Sequence, residues 1–195
     1  MILASASSAR RLVLENAGVA FRCLPSAIDE NPIKESHRAQ NKTIEETALS
    51  LSRAKALDVS GRQAGACVIG ADQIMTCDGA WFDKPADIAA AAATLRRLRG
   101  RAHRLISAVS VCRDGAELWH YVAEARLTMR DFSDAFLDRY LENAGPEVLE
   151  SVGAYRLEGT GAQLFAEIKG DYFTILGLPL LPLLTFLRGH GLLEA

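Results

Sequence analysis

Residues 1–15 read MILASASSARRLVLE and predict a short apolar strand, a serine-rich turn and a helix in direct succession. The turn offers hydroxyl and backbone N–H donors, and the N-terminus of a helix favours negative charge. Arg10 and Arg11 stand in the first helical turn, where cations repel the positive end of the helix dipole unless an anion is present. Because guanidinium groups bind phosphate oxygens in pairs, the stretch indicates a phosphate site. The alternative is an ordinary helix start with Ser7 as N-cap, and both interpretations stay open.

The composition is that of a globular chain. Its 195 residues are 49% hydrophobic, enough for one domain or two close lobes with a real core. A formal net charge of −2 argues against nucleic acid and a membrane surface as partners. The longest apolar stretch, residues 176–187, is broken by glycine and prolines and is too short for a membrane span. No signal-peptide pattern precedes the first strand, and the four cysteines are scattered, so we expect a cytoplasmic α/β protein without disulfides.

Strand and helix patterns alternate along the remaining chain and predict a mixed sheet flanked by helices. Strands are predicted at 20–24, 67–71, 102–111 and 119–129. Helices are predicted at 43–60, 87–99, 133–143 and 179–188. The helix at 43–60 begins with Thr43 and Glu46, the spacing of a capping box. Residues 25–40 are interpreted as a polar loop, and residues 154–176 as strand-like with glycine interruptions.

Asp72 is the strongest single candidate for chemistry. It follows the apolar run 67–71, so we expect it at the end of that strand, where ligands bind in open α/β sheets. A carboxylate there could bind Mg²⁺ or accept a proton from water. On local pattern alone, an ordinary turn aspartate is an equal alternative.

Lys55 is the second candidate. Ile44, Ala48, Leu51 and Lys55 follow one face of the predicted helix, which places the lysine on its apolar stripe. A lysine on a buried face needs a partner or a ligand. A stem that reaches out to solvent near the helix end is the alternative, and we favour the ligand.

Three further residues complete the candidate set. Lys84 precedes Pro85, whose rigid backbone would aim the ammonium group at a phosphate. Glu30, in a polar segment, could join Asp72 around a metal ion, and Glu158 opens a glycine-rich turn that could approach a base or ribose. Each also fits an ordinary surface position. Taken together, the cations and carboxylates indicate metal-assisted hydrolysis of a nucleotide phosphoanhydride, without a Walker loop and without identifying the base.

The same residues resemble the Maf-like nucleoside triphosphate pyrophosphatases. The matching segments occur in the family's order at 3–11, 28–30, 54–56, 70–73, 83–85, 153–159 and 170–180. The resemblance covers nearly the whole chain as a single domain, residues 1–195. It implies an elongated mixed β-sheet with two lobes and a cleft, and a family that is often dimeric. It also implies a reaction, dependent on Mg²⁺ or Mn²⁺, that yields a nucleoside monophosphate and pyrophosphate.

The resemblance implies a role for each candidate. Asp72 would be the general base that activates water for attack on the α-phosphorus, and Glu30 would help Asp72 hold the metal. The residues that would bind the triphosphate are Ser7, Arg10, Arg11, Lys55 and Lys84. The expected partner is a nucleoside triphosphate, with a homodimer allowed and with neither nucleic acid nor membrane involved.

The family resemblance assigns the choice of base to Ala9, Gln73 and Glu158. Gln73 and Glu158 resemble the branch that acts on 7-methyl-GTP, and a carboxylate can accept hydrogen bonds from guanine N1–H and its amino group. Ala9 departs from the tryptophan usual in that branch, and Ser8 and Asp83 replace a usual proline and glycine. The alternatives are a broad or dTTP/UTP-type pyrophosphatase, an inosine-triphosphate-type enzyme, and a nucleotide-binding regulator of cell division with weak catalysis.

Overall fold

The computed structural model describes residues 1–194 and is an α/β protein with a seven-stranded sheet. The strands are β1 (Ile2–Leu3), β2 (Arg22–Cys23), β3 (Val68–Cys77), β4 (Ala80–Phe82), β5 (Ala102–Arg113), β6 (Ala116–Met129) and β7 (Phe165–Lys169). Their order is β2-β1-β3-β5-β6-β7, with β4 also paired to β3. Strand β1 is parallel to β2 and β3, whereas the β3–β4 and β6–β7 pairs are antiparallel. The predicted mixed sheet is confirmed.

Seven α-helices are present among residues 1–194. They are α1 (Ser8–Asn16), α2 (Asn31–Ala39), α3 (Ile44–Ser60), α4 (Ile88–Leu98), α5 (Asp134–Ala144), α6 (Tyr172–Ile175) and α7 (Leu180–Gly189). The helix predicted within residues 1–15 is present as α1, and the four helices predicted further along the chain are confirmed to within about one residue at each end. At the start of α3 the Glu46 amide donates to Thr43 Oγ1 at 3.1 Å, and the Thr43 amide donates to the Glu46 carboxylate at 2.8 Å. The predicted capping box is therefore present.

The chain divides into two compact units. Unit 1 comprises Met1–Gln73, Ile106–Ala123 and the stretch from Tyr172 onward, and unit 2 comprises Ile74–Leu105 and Glu124–Asp171. Within residues 1–194 no helix has both the length and the apolar character needed to cross a bilayer.

Strands β1 and β3 of unit 1 are covered on both faces. On one face Leu3 and Ile69 pack with the buried side chains of α1 and α7. On the other face Ile2 and Val68 pack with Ala56 and other buried residues of α3. Successive side chains of a strand point to opposite faces, so each helix layer contacts alternate residues of the same two strands.

Helix α3 approaches β3 closely at Gly70. A Cβ atom at this position would lie 2.2 Å from the Ser52 carbonyl oxygen and 2.7 Å from the Ala56 amide nitrogen. The backbone of the helix therefore rests directly on the backbone of the strand. Lys55 lies on α3 within this contact, and Asp72 lies two residues further along β3.

Replacement of Gly70 by alanine is expected to lower the free energy of unfolding by about 3 kcal/mol or more, because neither backbone can yield without moving the helix. Urea unfolding followed by circular dichroism measures the effect. The matched control is Gly61→Ala at the end of α3, where a Cβ atom would lie 3.5 Å from the Leu57 carbonyl oxygen, an ordinary contact. A Gly70→Ala protein as stable as Gly61→Ala would contradict this packing.

The prediction of a loop over residues 25–40 is wrong in part, because these residues contain helix α2. This helix has no buried residue, so no apolar stripe marks it in the sequence. Its start is set by Pro32 in the first turn and by the Asp29 carboxylate, which accepts from the Asn31 amide at 3.0 Å. The helix begins directly after Glu30.

The predicted end of a strand at Asp72 is also wrong. Strand β3 continues through Asp72 to Cys77, and Ile74 and Met75 beyond it are buried. The antiparallel partner β4 pairs Met75 with Phe82 and extends the strand. Asp72 consequently lies in the middle of a ten-residue strand rather than at its tip.

The strand-like interpretation of residues 154–176 is correct only for β7. Residues Thr160–Leu164 form a 3₁₀ helix, and Tyr172–Ile175 form α6. A Cβ atom at Gly161 would lie 2.4 Å from the Arg156 carbonyl oxygen, so the chain folds tightly on itself here instead of extending.

Candidate active site

The ammonium group of Lys55 lies between two carboxylates. Its Nζ atom is 2.6 Å from Asp72 Oδ1 and 2.6 Å from Glu30 Oε1. The side chains of Lys55 and Asp72 are only 13% and 8% exposed. On its buried face Lys55 thus has two carboxylate partners from the protein itself, and the ligand that the sequence favours for it stays a prediction. We call Glu30, Lys55 and Asp72 the acid–lysine centre.

Three elements of unit 1 build the acid–lysine centre. Lys55 projects from α3 and Asp72 from the middle of β3. Glu30 is the residue that immediately precedes α2. Because Gly70 and Asp72 point to the same face of β3, the close contact at Gly70 brings α3 over the aspartate. Lys34, one turn along α2, also reaches Glu30, with Nζ 3.1 Å from Oε2.

The two carboxyl groups have opposite pKa shifts. Burial raises the pKa of the Asp72 carboxyl more than the nearby charges of Lys55 and Arg10 lower it. Burial also acts to raise the pKa of Glu30, but hydrogen bonds and charge from Lys55 and Lys34 outweigh it, and the pKa is lowered. Asp72 is thus the carboxylate better able to take up a proton, while Glu30 stays ionised.

Arg10 ties the serine-rich turn to this region. Its Nε donates to the Gly177 carbonyl oxygen at 2.8 Å, and its Nη1 donates to the Ala71 carbonyl oxygen at 2.9 Å and to Ser5 Oγ at 3.2 Å. Burial lowers the pKa of the guanidinium group, and the charges of Asp72 and Glu30 act in the opposite direction. Arg10 therefore bonds two backbone carbonyl groups and one serine hydroxyl of unit 1, and it places a positive charge near Asp72.

Arg11 and Ser7 have different surroundings. Arg11 is exposed and forms an ion pair with Glu15 on the next turn of α1, at 3.7 Å. Ser7 is the N-cap of α1, with its hydroxyl accepting from the Arg10 amide at 3.4 Å. The N-cap interpretation of Ser7 is confirmed, whereas phosphate binding by Ser7 and Arg11 stays a prediction. Of the two arginines, Arg10 lies beside the acid–lysine centre.

Gln73 faces away from that centre, because it follows Asp72 along the strand. Its Nε2 lies 2.8 Å from Ser107 Oγ, 3.0 Å from the Thr174 carbonyl oxygen and 3.1 Å from the Ile175 carbonyl oxygen. The amide N–H groups of Gln73 are thus already bonded to the protein. Ala9, in the first turn of α1, presents only a half-buried methyl group. Base recognition by these two residues stays a prediction.

Lys84 and Glu158 belong to unit 2. Lys84 is exposed and precedes the buried Pro85. Glu158 accepts from Arg156 Nε at 2.9 Å, and Arg156 also bonds to Glu147. The roles that the resemblance assigns to Lys84 and Glu158 stay predictions.

Sequence reasoning missed Lys34 and Gly177. Lys34 is four residues after Glu30, the spacing of a helical ion pair, but the polar pattern of residues 25–40 predicts a loop there. Gly177 has φ +89°, and a Cβ atom there would lie 3.2 Å from Arg10 Nε. Only the folded chain reveals that close approach.

The sequence itself is that of a known family. The sequence matches the Maf family, described as Maf-like protein, over residues 1–190, and the chain therefore belongs to that family. A nucleoside triphosphate pyrophosphatase of Granulibacter bethesdensis is 53% identical over 190 residues, covering 97% of this chain and 96% of the relative. The enzyme of the same name from Paramagnetospirillum magneticum is also 53% identical over 190 residues, 97% of this chain and 98% of the relative. A 7-methyl-GTP pyrophosphatase of Rhizobium etli is 49% identical over 194 residues, 100% of this chain and 98% of the relative.

Proposed function

We propose that this protein hydrolyses nucleoside triphosphates between the α- and β-phosphorus atoms, giving a nucleoside monophosphate and pyrophosphate. The single observation that carries the proposal is the acid–lysine centre, in which a buried aspartate lies 2.6 Å from a lysine ammonium group. Relatives 53% identical over nearly the full chain are named nucleoside triphosphate pyrophosphatases, which supports the reaction class.

The residues supply the parts that this reaction needs. Asp72 accepts a proton from the attacking water, and the raised pKa of its carboxyl favours that transfer. Since Oδ1 is bonded to Lys55, we expect Oδ2 to take the proton. The new bond joins the water oxygen to the α-phosphorus as the bond from that phosphorus to the bridging oxygen breaks. Lys55 and Arg10 contribute positive charge where the phosphoryl oxygens gain negative charge.

A divalent cation is part of the proposal. Mg²⁺ is commonly held by one or two carboxylates together with substrate phosphates, and Mn²⁺ accepts the same oxygen ligands. Asp72 and Glu30 fit such an ion, because both direct an oxygen at one positively charged atom, Lys55 Nζ. Among residues 1–194, no group of three or more His, Cys, Asp or Glu side chains could hold a metal ion, so the phosphates would complete the ligand set. When bound, the cation would neutralise phosphate charge.

We propose 7-methyl-GTP as the preferred substrate. One relative that shares 49% of its residues with this chain carries that name, and Glu158 offers a carboxylate that suits the N1–H and amino group of guanine. UTP, dTTP and inosine triphosphate are the competing substrates. Tight nucleotide binding without turnover would instead favour the regulatory alternative, for which the departures at Ala9, Ser8 and Asp83 are the sequence basis.

A nucleotide panel tests both levels of the proposal. Incubation of the protein with UTP, dTTP, GTP, inosine triphosphate and 7-methyl-GTP, with Mg²⁺ or Mn²⁺, should release monophosphate and pyrophosphate in equal amounts, fastest from 7-methyl-GTP. Release of orthophosphate, or no product from any nucleotide, would contradict the reaction. Faster hydrolysis of another nucleotide would contradict only the proposed preference for 7-methyl-GTP.

Glu158→Gln tests the assignment of base recognition. Loss of a charged hydrogen-bond acceptor is expected to lower kcat/KM for 7-methyl-GTP relative to UTP by about 10-fold to 100-fold. The matched control is Glu147→Gln, which removes the other acidic partner of Arg156 but leaves Glu158 in place. Equal changes in the two variants, or an unchanged ratio in Glu158→Gln, would refute the assignment.

A further inference from the structure

Glu30 reaches Lys55 from a segment with little packing of its own. Residues 25–30 connect β2 to α2 and are exposed or half-buried throughout. Upstream of this segment, the Leu24 amide is bonded to the Leu3 carbonyl oxygen at 3.0 Å. On the other side of Glu30, α2 is held to α3 by a 3.0 Å contact between His37 Nδ1 and Thr47 Oγ1, so a second anchor before Glu30 would fix both ends of the segment.

Asp58 provides that anchor. Its Oδ2 atom accepts from Ser26 Oγ at 3.0 Å and from the Ala27 amide at 3.0 Å. Ser26 Oγ in turn accepts from the Ile28 amide at 3.3 Å, so the contact continues towards Glu30. Arg62, which follows the end of α3, donates to the same Oδ2 at 2.7 Å.

Lys55 and Asp58 lie three residues apart on α3, close to one face of the helix. One turn of α3 therefore holds Glu30 in two ways. Lys55 binds its carboxylate, and Asp58 binds the backbone three residues before it. The hydrogen bond from the Ala27 amide lowers the pKa of Asp58, and those from Ser26 and Arg62 act in the same direction, so Asp58 is ionised at neutral pH.

We propose that Asp58 is a positioning residue for the hydrolysis reaction: through Ser26 and Ala27 it holds residues 25–30 so that Glu30 stays at Lys55. This inference rests on the proposed function. The side-chain oxygen of Asp58 is bonded to Ser26, Ala27 and Arg62. Its effect on the reaction therefore passes through Glu30.

The test combines Asp58→Ala with Glu30→Gln. Asp58→Ala should lower kcat by about 10-fold or more, because a small misplacement of a reacting group is costly. In the Glu30→Gln background the same change should lower kcat by less than about twofold, since the group that Asp58 positions is already disabled. Hydrogen exchange of the amides of residues 26–30 should be faster in Asp58→Ala than in the wild-type protein.

Thr43→Ala is the matched control, because it removes the N-cap of the same helix at its other end. It should lower the Tm without changing kcat or the amide exchange of residues 26–30. Ser26→Ala deletes the bond from the hydroxyl to Asp58 and the bond from the Ile28 amide to the hydroxyl. It should reproduce the Asp58→Ala effects in weaker form, and it replaces Asp58→Ala in the test if that variant does not fold.

Two results would overturn the positioning role: equal kcat losses in Asp58→Ala and Thr43→Ala, or additive losses in the double variant. If the wild-type protein hydrolyses no nucleotide, the proposed function fails instead. The exchange measurement would then still decide whether Asp58 holds the segment.

Discussion

Asp72→Asn is expected to lower kcat by about 10³-fold, which is within the range for the loss of a general base. Asparagine has nearly the shape of aspartate but cannot take a proton from water. Lys55 keeps its second partner, Glu30, at 2.6 Å, so the acid–lysine centre should stay assembled. Nucleotide affinity measured without a divalent cation should be unchanged or higher, because a negative charge is removed from the neighbourhood of the phosphates.

Steady-state turnover and calorimetric nucleotide binding separate these two effects. The control is Asp138→Asn on the exposed face of α5, which should retain wild-type kcat. An Asp72→Asn protein that keeps more than a tenth of the wild-type kcat would exclude Asp72 as the base.

Lys55→Met is expected to affect both catalysis and stability. It leaves two carboxylates with no ammonium group between them, and removing one partner of a buried ion pair costs about 3 kcal/mol. Turnover should fall by about 100-fold or more, because positive charge near the phosphoryl oxygens is lost. The matched control is Lys42→Met, which breaks the exposed pair with Glu46 at 3.3 Å and should change stability by less than about 1 kcal/mol.

The stability loss in Lys55→Met should depend on pH. The pKa of Glu30 is lowered in the folded protein, so its ionised form adds stability that is present above its unfolded-state pKa and lost as pH falls through the folded-state value. Without Lys55 this contribution decreases, and the pKa of Asp72 rises further. Urea unfolding should therefore show a large difference from wild type at neutral pH that narrows in acid. A difference independent of pH would contradict the charge-based explanation.

Much of unit 1 could be predicted from local pattern. The capping box of Thr43 and Glu46 and the apolar spacing along α3 identified the helix and placed Lys55 on its buried face. These signals arise from residues close in sequence, and the structure retains them because packing on β3 acts in the same direction.

The structure distinguishes the surroundings of Arg10 and Arg11, and helical spacing in the sequence also separates them. Arg10 is three and four residues before Val13 and Leu14, the buried residues of α1, so it shares their face of the helix. Arg11 is one residue further round and pairs with Glu15 on the exposed side. Applying the helical spacing from these apolar residues would have distinguished the two arginines.

The extent of β3 and the presence of α2 could not be obtained in the same way. β3 continues beyond Asp72 because β4 pairs with it, an interaction between separate segments. Helix α2 buries no residue and so lacks the periodic apolar pattern by which helices are recognised. Both features matter for the site, since Asp72 lies within the extended β3 and Glu30 directly precedes α2.

The most direct test of the central claim is hydrolysis in water enriched in ¹⁸O, followed by mass spectrometry of both products. If Asp72 activates water for attack on the α-phosphorus, a single ¹⁸O atom enters the nucleoside monophosphate and none enters the pyrophosphate. Label in pyrophosphate, or in orthophosphate, would show attack at another phosphorus atom and would contradict the account.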